Sequence, residues 1–94
     1  MQNGFATEDA IRLEIKKLVA SITEREPEEI SDTALFTTEL GIDSLMAMEI
    51  MVAMDKKFHI NIPEEDFIQA TNVDQAVLMV SRYLNAVAQS AAIA

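Results

Sequence analysis

The sequence contains no cysteine and no tryptophan, a single histidine, two glycines and two prolines among 94 residues. Without cysteine there are no disulfides, no thiolate nucleophile and no cysteine-ligated metal, so any thiol this protein uses has to be added to it. Basic residues are scarce as well: 7 Lys and Arg face 16 Asp and Glu, giving a formal charge of -9 and a pI of about 4.3. Such a chain repels nucleic acid and anionic membrane surfaces and attracts basic protein patches. No apolar run approaches the roughly 18 residues of a membrane span. Met1-Gln2-Asn3-Gly4-Phe5 has neither the basic n-region nor the apolar h-region of a secretory leader, and a cytoplasmic protein is expected. The length suits one domain over residues 1–94, with a modest core within about 7–86, and is too short for a deeply enclosed active site.

What is present is helical periodicity. No alternation of β type is sustained, and the apolar residues recur at three- and four-residue spacing, so the expected class is all-α: three long helices and one short one, with a long loop between the first two. Helix one should start at Thr7 as N-cap, with Glu8 and Asp9 in its first turn. It should run to about Glu24, with Ile11, Ile15, Leu18 and Ile22 on one stripe. Residues 25–43 form an acidic connection whose Ile30, Leu35, Phe36 and Leu40 are expected to pin it to the core. A loop of that length in a small domain is usually functional or disordered. Helix two spans about Ser44 to Phe58. After Ile62-Pro63, a short third helix fits Glu64 to Gln69, with Pro63 at or before its first turn. Helix four opens at Asn72, with Gln75 three residues on as in a capping box and Val73, Val77, Val80, Leu84 and Val87 on one stripe. The tail from Asn85 to Ala94 has no charged side chain and either extends helix four or frays.

The chemistry concentrates at Gly41-Ile42-Asp43-Ser44-Leu45, where the loop becomes helix two. From Glu24 to Asp43 seven acids face one base, Arg25. A serine hydroxyl at a helix start suits an attached phosphate, because unpaired N–H groups and the positive dipole end favour an anion there. The plainer role of Ser44 or Asp43 is an N-cap. Stepping helix two at about 100° per residue puts Ala47, Ile50, Met51, Met54 and Phe58 on one side and Glu49, Asp55 and Lys56 on the other. Leu45, Met48 and Val52 share the charged side, so an apolar strip should lie exposed below Ser44. It is either scattered surface hydrophobes or a docking strip. Met46, Met48, Met51 and Met54 all lie on this helix, as gap-fillers or as a core able to part for a flexible apolar guest.

A nucleophilic serine needs a base about 3 Å away. The only histidine, His59, lies fifteen residues on, roughly 22 Å along a helix. It suits a helix C-terminus instead. No strand-to-helix serine elbow, glycine-rich phosphate loop or spaced metal-ligand set is present, and Glu64-Glu65-Asp66 is first a helix-start acid cluster. No enzyme and no metal are expected.

Taken together, the long first helix, the long loop, Leu40-Gly41-Ile42-Asp43-Ser44-Leu45 opening helix two, Phe58 near its end, then Ile62-Pro63-Glu64-Glu65-Asp66 and a last helix resemble the acyl carrier proteins, over about residues 7–86. The resemblance implies a discrete four-helix carrier of that type, in which Ser44 accepts 4'-phosphopantetheine from coenzyme A through a phosphodiester made by a phosphopantetheinyl transferase. The thiol of that arm would hold acyl groups as thioesters and deliver them to synthases and acyltransferases with basic docking patches. Asp43 would position the site or cap the helix; Leu45, Met48, Glu49 and Val52 would meet partner enzymes; Ile50, Met54 and Phe58 would line an acyl pocket. A charge of -9 and a mobile-carrier role favour a monomer. Helix two departs from the acid-rich pattern of fatty-acid carriers in holding only Glu49 and Asp55 and ending in Lys56-Lys57. That hints at a specialised pathway, such as lipid A or lipopolysaccharide acylation or polyketide assembly. An amino-acyl or peptidyl carrier is the alternative cargo class, and a helical interaction module, with Ser44 only a cap, is the non-carrier alternative.

Overall fold

The computed structural model describes the backbone of residues 7–93 and the side chains of residues 7–86. Among them are four α-helices, α1 (Glu8–Thr23), α2 (Ser44–Phe58), α3 (Glu64–Phe67) and α4 (Val73–Ile93), one 3-10 turn (Pro27–Glu29) and no strand. The all-α, four-helix expectation is met. No described helix is long and apolar enough to cross a membrane. The reading of Met1–Phe5 falls outside the described residues, as does the packing of Val87.

The helix starts follow side-chain chemistry. Thr7 Oγ1 accepts the amide of Ala10 (3.1 Å), Asp43 Oδ1 that of Met46 (2.9 Å) and Asn72 Oδ1 that of Gln75 (2.9 Å), each satisfying an orphan N–H of a first turn. The expected capping box at α4 is displaced by one residue. Gln75 Oε1 accepts from the backbone N–H and the hydroxyl of Thr71, not from Asn72, because the N-terminal chain approaches with Thr71 beside that side chain. The helix ends use left-handed residues, Glu24 after α1 (φ 58°) and His59 after α2 (φ 57°). The sequence tail continues α4 to Ile93 rather than breaking at Asn85.

One cluster of apolar side chains joins the helices: Ile11, Ile15 and Val19 of α1, Ile50, Met54 and Phe58 of α2, and Val73, Val77 and Val80 of α4 are all buried. Each fully buried side chain of this size contributes roughly 1.5–3 kcal/mol of transfer free energy. On α1 the buried stripe is rotated slightly from the sequence reading: Val19 and Ala20 are buried, while Leu18 and Ile22 pack only at the margin. α1 packs against both α2 and α4.

The 24–43 connection is ordered against that core. Ile30, Phe36, Leu40 and Ile42 are buried. Leu35, expected to pin the loop, is exposed instead: the turn bonds its carbonyl to the amides of Glu39 and Leu40, which faces its side chain outward. Two backbone bonds stitch the loop to the start of α4, Phe36 N–H to Thr71 O (2.9 Å) and Asp74 N–H to Asp32 O (3.0 Å). Charges add to this. Asp32 receives Lys16 (2.8 Å) and Arg12 (3.3 Å), and Arg12 also reaches Asp74. The hydrogen bond from Lys16 first, then the nearby positive charge, holds the Asp32 carboxyl below the usual carboxylate range. The Asp74 carboxylate likewise holds the Arg12 guanidinium more firmly protonated.

Candidate functional site

The loop ends in a turn that only glycine accommodates cheaply. Gly41 has φ 68°, and this left-handed step returns the chain so that Ile42 N–H reaches Phe36 O (2.9 Å) and the Ile42 side chain enters the core. Asp43 follows in extended geometry and caps α2, its backbone carbonyl accepting from Ala47 and its carboxylate from Met46. Capping therefore belongs to Asp43, which leaves the Ser44 hydroxyl uncommitted on an exposed first helical residue. The amides of Ser44 and Leu45 have no hydrogen-bond partner among the described residues.

Beside Ser44 lies a cavity of about 260 Å³, walled mainly by Phe36, Ile42, Ala47, Ile50, Phe67 and Ala70. Ser44 and Asp43 stand at its edge, with Thr37 and Thr71 among its few polar neighbours. Phe67 of the wall ends α3, which is only four residues long and is held to α4 by the Tyr83 hydroxyl donating to the Asp66 carboxylate. That bond pushes the Tyr83 phenol up, because ionising it would cost the donated hydrogen bond to an anion. Of the three residues assigned to an acyl pocket, Ile50 lines this cavity. Met54 and Phe58 are buried one and two turns further along α2 and do not line it. Phe36, Ile42, Phe67, Ile68 and Ala70 carry most of the remaining apolar wall, and helical phase on α2 does not point to them, since their meeting depends on how the loop and the α3 region pack on α2.

On the outer side of α2, Leu45, Met48 and Val52 are exposed by 67%, 48% and 47%, so the expected apolar strip is at the surface. Met48, Glu49, Val52, Ala53 and Lys56 line a shallow groove along it. The other charges of the helix are used internally. Asp55, expected on the outer face, accepts the amide of Ile62 (3.1 Å) and holds the chain leaving α2, while Lys57 reaches Glu14 of α1 (3.4 Å).

His59 caps the far end of α2 and cannot reach Ser44. Among the described residues, no group of three or more acid or histidine side chains could hold a metal ion. The site offers a free hydroxyl at a helix start, uncommitted amides and an apolar recess, an arrangement that fits a phosphodiester-linked arm with an apolar load.

A family model described as a phosphopantetheine attachment site matches residues 14–80, most of the described fold and all of this site. The chain belongs to the acyl carrier protein family. Membership brings a covalent 4'-phosphopantetheine cofactor with it. Among curated proteins, the chain is 33% identical over 69 residues to a putative mitochondrial acyl carrier protein of Schizosaccharomyces pombe, covering 72% of this chain and 62% of the relative. It is 33% identical over 75 residues to a mitochondrial acyl carrier protein of Neurospora crassa, covering 79% of this chain and 56% of the relative. The chain thus spans about three-fifths of the length of these curated relatives. Among solved structures, the acyl carrier protein from Enterococcus faecalis superposes with a TM-score of 0.70 at 21% identity, over 82% of this chain and 98% of that one, a likeness of fold. The mitochondrial relatives overturn the cytoplasmic expectation. The absence of a secretory-leader pattern and of a membrane-length apolar run does not distinguish a mitochondrial protein from a cytoplasmic one.

Proposed function

We propose that Ser44 is the attachment residue for 4'-phosphopantetheine and that the protein carries acyl groups between the enzymes of a lipid-building pathway without catalysing a reaction itself. The observation that carries this reading is the exposed Ser44 hydroxyl, left free by the Asp43 cap and standing at the mouth of an apolar cavity. When bound, the arm supplies the thiol that the sequence lacks, on which an acyl group is held as a thioester. The chain's own residues do the rest. Asp43 fixes the first turn, the amides and dipole end of α2 favour the phosphodiester anion, and the cavity shelters apolar cargo at about 0.8 kcal/mol per buried methylene. Its predominantly apolar wall favours a fatty-acyl cargo over an amino-acyl one, whose ammonium would lose its hydration there without a partner.

The outer strip of Leu45, Met48, Glu49 and Val52 is the surface for the transferase and for acyl-handling synthases and acyltransferases. Residues 7–86 form the carrier domain, and its charge favours a monomer. The two relatives favour a mitochondrial setting. The test is intact mass before and after treatment with a phosphopantetheinyl transferase and coenzyme A. A single phosphopantetheinyl increment, mapped by fragmentation to Ser44 and absent from Ser44→Ala, is expected. A wild type that stays unmodified while a control carrier loads would overturn the assignment.

A further inference from the structure

The charges of α2 are few, and the fold divides them into two that are occupied and two that are not. Of Glu49, Asp55, Lys56 and Lys57, Asp55 is tied to the Ile62 amide and Lys57 to Glu14. Glu49 and Lys56 are exposed, have no ion-pair partner among the described residues, and both line the groove floored by Met48, Val52 and Ala53. They are seven residues apart, two helical turns on one face, and so about 10 Å apart along the axis. Glu49 is the member nearer Ser44, and Lys56 lies at the far end.

An all-acidic face attracts a basic patch but says little about direction along the helix. A face with an acid at one end and a base at the other has a direction. A partner that places a base opposite Glu49 and an acid opposite Lys56 meets complementary charge in one orientation and like charge in the reversed one. Direction matters here because Ser44 stands at one end only. Both charges are at the rim of an apolar floor, where they act on orientation and encounter more than on total binding energy.

Resting on the carrier reading above, we infer that α2 docks as a polarised stripe, and that its own enzymes carry a mixed patch: an apolar platform flanked by a basic side chain for Glu49 and an acidic one, about 10 Å further on, for Lys56. Lys56 is the specificity-determining residue. It selects against enzymes whose patches are entirely basic.

The experiment titrates the full-length, unmodified chain by calorimetry against two probes. One is a ketoacyl synthase with an all-basic carrier-docking patch. The other is the same enzyme with the basic residue opposite the C-terminal half of α2 changed to glutamate. Using the unmodified chain makes the result independent of Ser44 loading, so failure here and failure of the attachment reading are separate outcomes. The wild type is expected to bind the glutamate-bearing enzyme about two- to fivefold tighter, the range of an exposed charge pair. Lys56→Glu should reverse that preference, Lys56→Gln should abolish it, and Glu49→Lys should weaken binding to both enzymes. The preferences should shrink as salt is raised. If Lys56→Glu leaves the ratio of the two affinities unchanged, or the wild type prefers the all-basic enzyme, the proposal is wrong. Unaltered helical circular dichroism in each variant excludes misfolding as the cause.

Discussion

The two faces of α2 draw on the same kinds of side chain and are put to opposite uses. Ile50, Met54 and Phe58 are at most 2% exposed in the shared core, whereas Leu45, Met48 and Val52, on the same helix and no less apolar, are about half exposed or more. Apolar content therefore does not separate core from surface here; phase does. A helix can bury only the arc that faces its neighbours, and the other arc meets water whatever its residues. The outer face bears apolar surface to water for no return in folding, while the inner face supplies the packing.

Methionine tests that contrast most directly. Met54→Ala removes a fully buried side chain and should destabilise by about 2–5 kcal/mol in a denaturant titration, whereas Met48→Ala should stay within about 0.5 kcal/mol. Comparable losses from the two would mean that the outer strip is part of the core after all. At the mouth of the site, Gly41→Ala should cost about 1 kcal/mol by forcing a Cβ into a left-handed turn, although the space around that position is open. Asp43→Ala should cost a similar amount, about 1 kcal/mol, through the lost cap. Ser44→Ala should leave the melting temperature nearly unchanged, within about 0.5 kcal/mol for an exposed, uncommitted side chain. A marked loss with Ser44→Ala and none with Asp43→Ala would exchange their roles.

The one pH-dependent effect expected is electrostatic and concerns the loop that delivers the site. Asp32 is held below its usual range by Lys16 and Arg12, so its contribution is present above the ordinary carboxylate value of about 3.9 and is lost as pH falls through the lower folded value. Asp32→Asn should lower stability at pH 7 by at most about 1 kcal/mol, because its side chain is 41% exposed and solvent screens the pairs. The difference from wild type should close below about pH 4. A difference that persists at acid pH would point to a role other than charge.

Much of this was legible in the chain. The starts at Thr7, Asp43-Ser44 and Asn72, the end of α2 near Phe58 and the exposed strip below Ser44 follow from caps and a 3.6-residue period, both of which act within one or two turns. The departures share a cause. Leu35 turned outward, Gln75 bonded to Thr71 instead of Asn72, and Asp55 turned from an outward charge into a cap for the Ile62 amide. In each case the deciding hydrogen bonds involve a backbone group of a loop, which periodicity along a helix does not place. The cavity beside Ser44 also depends on the fold: α2 by itself supplies Ile50, and most of the remaining apolar wall comes from Phe36 and Ile42 of the loop with Phe67 and Ala70.

The sequence by itself determined the helices, the missing thiol, the acidic charge and the serine at the head of α2, because each of these depends on residue identity and local spacing. Tertiary structure alone decided that Leu35 faces water, which two of the four α2 charges stay free, and where the recess beside Ser44 lies. Those outcomes arise between segments far apart in the chain, from close packing and from hydrogen bonds that exist only once the loop has been laid across the helices.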